Sequence, residues 1–214
     1  MPDFRIVEWN EDNFDISQYI FAKEAYECRK YAFVADVARM HILLNHGGVY
    51  LDTDVEAIGT LAPFLETTAF TGFEFDDVVG SGIIGSEKGG EWVKDCLDYY
   101  NERHFIKKDG TLDIQPNVRY ITDILVRHGL LKDDSLQDFN DYVKVYPKDY
   151  FCPKTYDDCK VHVTNNTVTI HHFAGSWKTI KTQRNRKVHD FLGDGLYSFL
   201  AKAKWTLIRL FKNK

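Results

Sequence analysis

Apolar positions recur along this chain with two periods. From Ile16 to Asn45 they fall three and four apart, which predicts helix, and the run divides near Arg29–Tyr31. In its second half Ala32, Ala35, Arg39 and Ile42 share helical spacing. His46-Gly47-Gly48 closes it, with glycine able to adopt positive φ past the last turn. Alternation of the strand kind is weak over Phe4–Trp9 and clearer over Val49–Val55, with further strand-like runs at 69–74 and 80–86. Helical spacing returns at 91–103, where Trp92, Val93, Cys96, Leu97 and Tyr100 form one face, and at 117–128, which stops at Gly129. A strand over 142–146 ends at Pro147, and Val161–Val163 and Thr167–Ile170 flank Asn165-Asn166 as a hairpin would. Leu196, Phe199, Leu200, Ala203, Leu207, Leu210 and Phe211 then keep helical spacing to the end of the chain. Such mixing of the two periods predicts an α/β domain over residues 1–196, followed by a separate amphipathic helix at 197–214.

Composition sharpens this in three ways. At 214 residues the chain can bury one full core without disulfide staples. The net charge of −5 excludes a whole-chain nucleic-acid binder. That charge is uneven, because residues 197–214 hold Lys202, Lys204, Arg209, Lys212 and Lys214 and no acid. The apolar stripe and cations of this segment suit peripheral contact with an anionic membrane. Cys28, Cys96, Cys152 and Cys159 contain no CxxC pair, which argues against a zinc site. The opening residues are polar and acidic, unlike a signal peptide or membrane span, so the expected location is the cytoplasm, peripheral to the inner face of the membrane.

The densest chemistry lies in Gly47-Gly48-Val49-Tyr50-Leu51-Asp52-Thr53-Asp54. On a strand, alternate residues share a face, so Asp52 and Asp54 are expected to point together, with Val49, Leu51, Thr53 and Val55 turned to the core. Two adjacent carboxylates repel each other and invite a hard divalent cation, Mn²⁺ or Mg²⁺. Such a cation would neutralise a diphosphate leaving group. Asp36 and Arg39 stand i, i+3 within YAFVADVARMHILL, where charges among apolar neighbours need partners. They form either an intrahelical ion pair or a polar pair reaching sugar hydroxyls. In Ile170–Lys178 a strand runs into His171-His172, which puts the two imidazoles on opposite faces, so one of them meets the site. Trp177 could pack on a sugar or ribose, and Lys178 could meet phosphate. A phosphatase of the DxDx(T/V) type is disfavoured, because Glu56 follows Val55 and the motif strand comes after a helix.

Taken together, WNEDNFD (9–15), YAFVADVARMHILLNHGGVYLDTDVE (31–56), GSGIIGSEKG (80–89), YPKDYFCPKTY (146–156) and TIHHFAGSWK (169–178) resemble the DXD-containing sugar transferases of glycosyltransferase family 32. The resemblance implies a GT-A fold, a Rossmann-type mixed sheet flanked by helices, and transfer with retention of anomeric configuration. The donor would be a nucleoside-diphosphate sugar and the acceptor a glycan or lipid-linked glycan, as in bacterial capsular-polysaccharide or lipopolysaccharide synthesis. Carried over, Asp36 and Arg39 are donor-sugar contacts and Asp52 and Asp54 the DXD pair, with Asp54 the surer metal ligand. Asp52, Asp54 and Arg39 are then the catalytic group. The HxxG spacing from His172 to Gly175 makes His172 the third metal ligand, with His171 as its rival. Ser176, Trp177 and Lys178 are donor contacts. Family members carry a further strand, loop and helix ahead of the equivalent of Pro2-Asp3-Phe4. The alternative expectation is therefore a non-catalytic nucleotide- or glycan-binding remnant.

Overall fold

A computed structural model describes residues 4–155 and 160–174. Ser176, Trp177, Lys178, the 197–214 segment and Cys159 lie outside the described residues. The chain divides into two compact units, Met1–Pro153 with Val163–His172, and Lys154–His162 with Phe173–Lys214. In the second, Lys154 and Val161 form an antiparallel bridge. The first is a mixed α/β unit and holds everything that follows.

The long helical run does divide where expected. Helix α1 spans Ile20–Glu27 and α2 spans Tyr31–His46. Between them Arg29 takes a left-handed φ of 57°, and the Lys30 amide donates back to the Ala25 carbonyl at 2.8 Å. Phe33, Val37, Met40 and Leu43 of α2 are buried at helical spacing. At its end the Gly47 amide donates to the Leu43 carbonyl at 2.8 Å, and Gly47 has φ 70°. A Cβ there would stand 2.7 Å from the Lys88 amide nitrogen, so Gly47 meets two constraints at once. Gly47→Ala is expected to cost about 1–3 kcal/mol, read as a lowered urea midpoint at unchanged slope.

This turn launches β1 (Gly48–Leu51), an edge strand of the main sheet. The sheet also contains β3 (Ala69–Phe75), β4 (Val78–Val79), β5 (Ile83–Ser86), β6 (Gln137–Asp138) and β7 (Lys144–Tyr146). Its order is β1-β5-β3-β7-β6, with β4 paired to β3. The β3–β7 pair is parallel and the other pairs are antiparallel. Along β3 successive side chains serve opposite faces. Ala69 and Phe73 join the core under α1, α2, α3 (Glu91–Asp98) and α4 (Asn117–Arg127), while Phe70 joins a second core with Phe64, Ile83, Tyr146 and Phe151. No helix among the described residues is long and apolar enough to cross a membrane.

Four expectations are corrected. Residues 4–9 form no strand, and Ile6 is 91% exposed. Val49–Val55 is not one strand, because β1 stops at Leu51 and β2 (Val55–Ala57) begins in a different, two-stranded sheet. The 91–103 helix ends at Asp98, where bonds from Tyr100 to Leu97 and Asn101 to Asp98 tighten the chain before Glu102 at φ 61°. The hairpin around Asn165-Asn166 does not form either. Its second arm is β8 (Thr169–His171), which pairs with β2 instead.

Candidate active site

The Asp52–Asp54 segment is a turn between two sheets. The Asp52 amide donates to the Gly82 carbonyl at 2.8 Å, ending the β1–β5 ladder, and the Val55 amide then donates to the Asp52 carbonyl at 2.9 Å. Aspartate suits the first position of such a turn. Thr53, at its tip, is exposed rather than turned to the core.

Beyond the turn, β2 runs antiparallel to β8 with Val55 opposite His171, and the His172 amide donates to the Asp54 carbonyl at 2.9 Å. That register brings His171 Nε2 to 3.4 Å from Asp54 Oδ1. The ligand atoms of Asp52, Asp54 and His171 all lie within 4.8 Å of one another. His172 faces the other way, with Nε2 2.9 Å from Glu56 Oε2. Of the two histidines it is therefore His171 that stands with the aspartates.

Beneath the turn sits Arg39, 4% exposed. Its Nη1 lies 3.2 Å from Asp52 Oδ1 and donates to the Ser81 carbonyl at 2.6 Å, and its Nη2 donates to Asp36 Oδ1 at 2.9 Å. Tyr50 completes the cage. Its hydroxyl donates to Asp52 Oδ1 at 2.7 Å, and its ring centroid is 4.6 Å from the Arg39 guanidinium carbon. Asp36 and Arg39 thus form an intrahelical pair that also reaches the DXD turn. Tyr50 and Ser81 were not singled out in the sequence. Tyr50 was legible there, since it alternates onto the face of Asp52.

The electrostatics follow from burial. Desolvation pushes the Asp36 carboxyl up to about 6, against the pull of Arg39. Burial works against the charge of Arg39, yet Tyr50, Asp52 and Asp36 outweigh it and hold the guanidinium more firmly protonated. Burial also lowers the His171 imidazole, only partly opposed by Asp54 and Asp52. At neutral pH its ring is therefore neutral and keeps a lone pair. Two carboxylates and one neutral imidazole are a donor set that Mn²⁺ or Mg²⁺ accepts, so the residues present fit the cation.

Residues 1–71 match the family described as "Glycosyltransferase sugar-binding region containing DXD motif". This part of the chain is similar to a DXD-type sugar-binding region. This region supplies Asp36, Arg39, Asp52 and Asp54, whereas His171 reaches the site from outside it through the β2–β8 pairing. Similar curated proteins include inositol phosphoceramide mannosyltransferase 3 of Schizosaccharomyces pombe, 32% identical over 92 residues, covering 41% of this chain and 26% of that protein. An uncharacterized glycosyltransferase of Acanthamoeba polyphaga mimivirus is 27% identical over 173 residues, covering 75% of this chain and 65% of its own. An uncharacterized protein of Arabidopsis thaliana is 27% identical over 90 residues, covering 40% of this chain and 14% of its own. The chain thus spans less than two thirds of the length of each of these relatives. No solved structure matches it significantly.

Proposed function

We propose that this chain is a metal-dependent retaining glycosyltransferase that moves a sugar from a nucleoside diphosphate to a hydroxyl of a glycan or lipid-linked glycan. The observation that carries this is the convergence of Asp52, Asp54 and His171 on one point, directly above the buried Arg39. In the reaction the acceptor oxygen bonds to the anomeric carbon. The bond from that carbon to the phosphate oxygen breaks, and the diphosphate leaves with the electron pair. The acceptor proton passes to the departing phosphate. A bound Mn²⁺ or Mg²⁺, held by Asp52, Asp54 and His171, supplies charge neutralisation for that leaving group. Arg39 and Tyr50 hold the Asp52 carboxylate in place, so little reorganisation remains during reaction. Asp36, beside Arg39, serves the donor sugar.

The fungal relative's name makes an activated mannose the first donor to try, and a lipid-linked acceptor the first acceptor. The relatives being fungal, plant and viral, the acceptor is proposed as a glycan or lipid-linked glycan without assignment to a bacterial capsule or lipopolysaccharide. A lipid-linked acceptor also suits membrane contact through the basic 197–214 stripe.

A panel of nucleotide sugars incubated with Mn²⁺ or Mg²⁺ tests this by release of nucleoside diphosphate. One donor is expected to turn over, and chelation with EDTA is expected to lower the rate by about a hundredfold or more. Turnover indifferent to EDTA would overturn the metal's part. Tight binding of nucleotide with no release from any donor would favour the non-catalytic remnant.

A further inference from the structure

Gly80-Ser81-Gly82 joins β4 to β5 as a short bridge, and it is fastened from two sides. From α4, Thr122 Oγ1 accepts from the Val79 amide at 3.0 Å, and Asn117 Oδ1 accepts from Ser81 Oγ at 3.0 Å. From β3, the Gly72 carbonyl accepts from the Gly80 amide at 2.9 Å. Two carbonyls of the bridge serve the active site. That of Ser81 accepts from Arg39 Nη1 at 2.6 Å, and that of Gly82 accepts from the Asp52 amide at 2.8 Å. The guanidinium beneath the DXD turn and the first residue of that turn therefore hang from one segment of backbone. The same Nη1 faces Asp52 Oδ1 at 3.2 Å, so a shift of Ser81 moves the cation relative to that carboxylate.

Asn117 is the costly member of this set. It is 5% exposed, at the start of α4, and its Nδ2 has no hydrogen-bond partner among the described residues. A buried donor left unmet works against folding, so an apolar side chain would serve the packing of α4 at least as well. What the amide adds is its bond to Ser81. We infer that Asn117 is a positioning residue for the transfer step: by holding Ser81 it fixes the bridge that sets Arg39 and the Asp52 turn. The inference rests on the proposed function and deepens it. Asn117 acts through Ser81 and contributes no ligand atom to the Asp52–Asp54–His171 set, which separates its role from cation binding.

The test uses the full chain, Mn²⁺ and the donor that the nucleotide-sugar panel identifies. Asn117→Ala removes the bond and the unmet donor together. Ser81→Ala severs the same link while keeping the carbonyl that receives Arg39. Each variant is expected to lower kcat by about 5- to 10-fold, the worth of one hydrogen bond, with KM within about twofold and the melting temperature within a few degrees. The double variant is expected to be no slower than the slower single one, because both cut one link. Amide hydrogen exchange reads that link without any donor. Both variants are expected to speed exchange at the Asp52 amide by about tenfold and to leave the Gly47 amide, bonded to Leu43 outside the bridge, unchanged. Losses that multiply in the double variant, a loss confined to KM, or wild-type kcat in Ser81→Ala would overturn the positioning role. Unchanged exchange at Asp52 in both variants would overturn the link alone. A wild type that turns over no donor would overturn the transferase itself, and this role with it.

Discussion

Asp54→Ala is expected to lower metal-dependent turnover of the donor by about a thousandfold or more, some 4 kcal/mol of barrier, while leaving the fold intact. The asymmetry between the two aspartates is the reason. Asp52 is tied from below by Arg39 and Tyr50, so its removal would disturb a buried network as well as the cation site. Asp54 is bound to the scaffold by its main chain, through the bond its carbonyl accepts from His172, and that bond survives truncation to alanine. Its carboxylate stands at 3.4 Å from His171 and offers one of the three protein ligand atoms, yet it brings half the carboxylate charge of the site. Nucleoside diphosphate release in the presence of Mn²⁺, measured beside a thermal melt, separates the two effects. A melting temperature within a few degrees of wild type is expected alongside the lost rate. Undiminished turnover would remove Asp54 from the reaction.

The scaffold of this site was legible in the sequence wherever one local signal sufficed. Helix α2 is announced by its periodicity and ended by Gly47-Gly48, and α4 stops before Gly129, which takes φ 96°. What was not legible depended on partners distant in the chain. Alternation placed Asp52 and Asp54 on one continuous strand, but the ladder partner of β1 runs out at Gly82, and a turn redirects the chain to β8. The two aspartates still converge, by turn geometry rather than by strand parity. The same limit applies to His171-His172. Parity on a strand says only that they face opposite ways. Which of them meets the aspartates is decided by the register of β8 on β2, more than a hundred residues apart in sequence, and that register sets His171 opposite Val55. Phe4–Trp9 shows the converse case, since a weakly alternating run becomes a strand only where a neighbour offers hydrogen bonds.

Arg39→Met is expected to cost about 3–5 kcal/mol of stability near pH 8, because it strips the counter-charge from two carboxylates while keeping the packing volume. Asp36 is the more affected of the two. Burial already pushes it up to about 6 with the guanidinium in place, and without Arg39 its folded-state pKa must climb further. The pH dependence follows from linkage. A carboxyl raised in the folded state binds a proton that the unfolded chain has lost, so stability falls as pH rises from the unfolded value to the folded one. In the wild type that fall is complete near pH 6; in the variant it continues above it. The deficit of Arg39→Met should therefore be small at pH 5, where Asp36 is protonated in both proteins, and grow through pH 6 to 8. Urea unfolding of both proteins across this range measures it. The double variant Arg39→Met, Asp36→Asn should recover much of the loss and flatten its pH dependence, since the amide carries no charge to desolvate. It should not recover turnover, because Asp52 would still lack the cation that orients it beneath the turn. A deficit independent of pH would instead point to lost packing around the Arg39 side chain and would set aside the electrostatic account of this cluster.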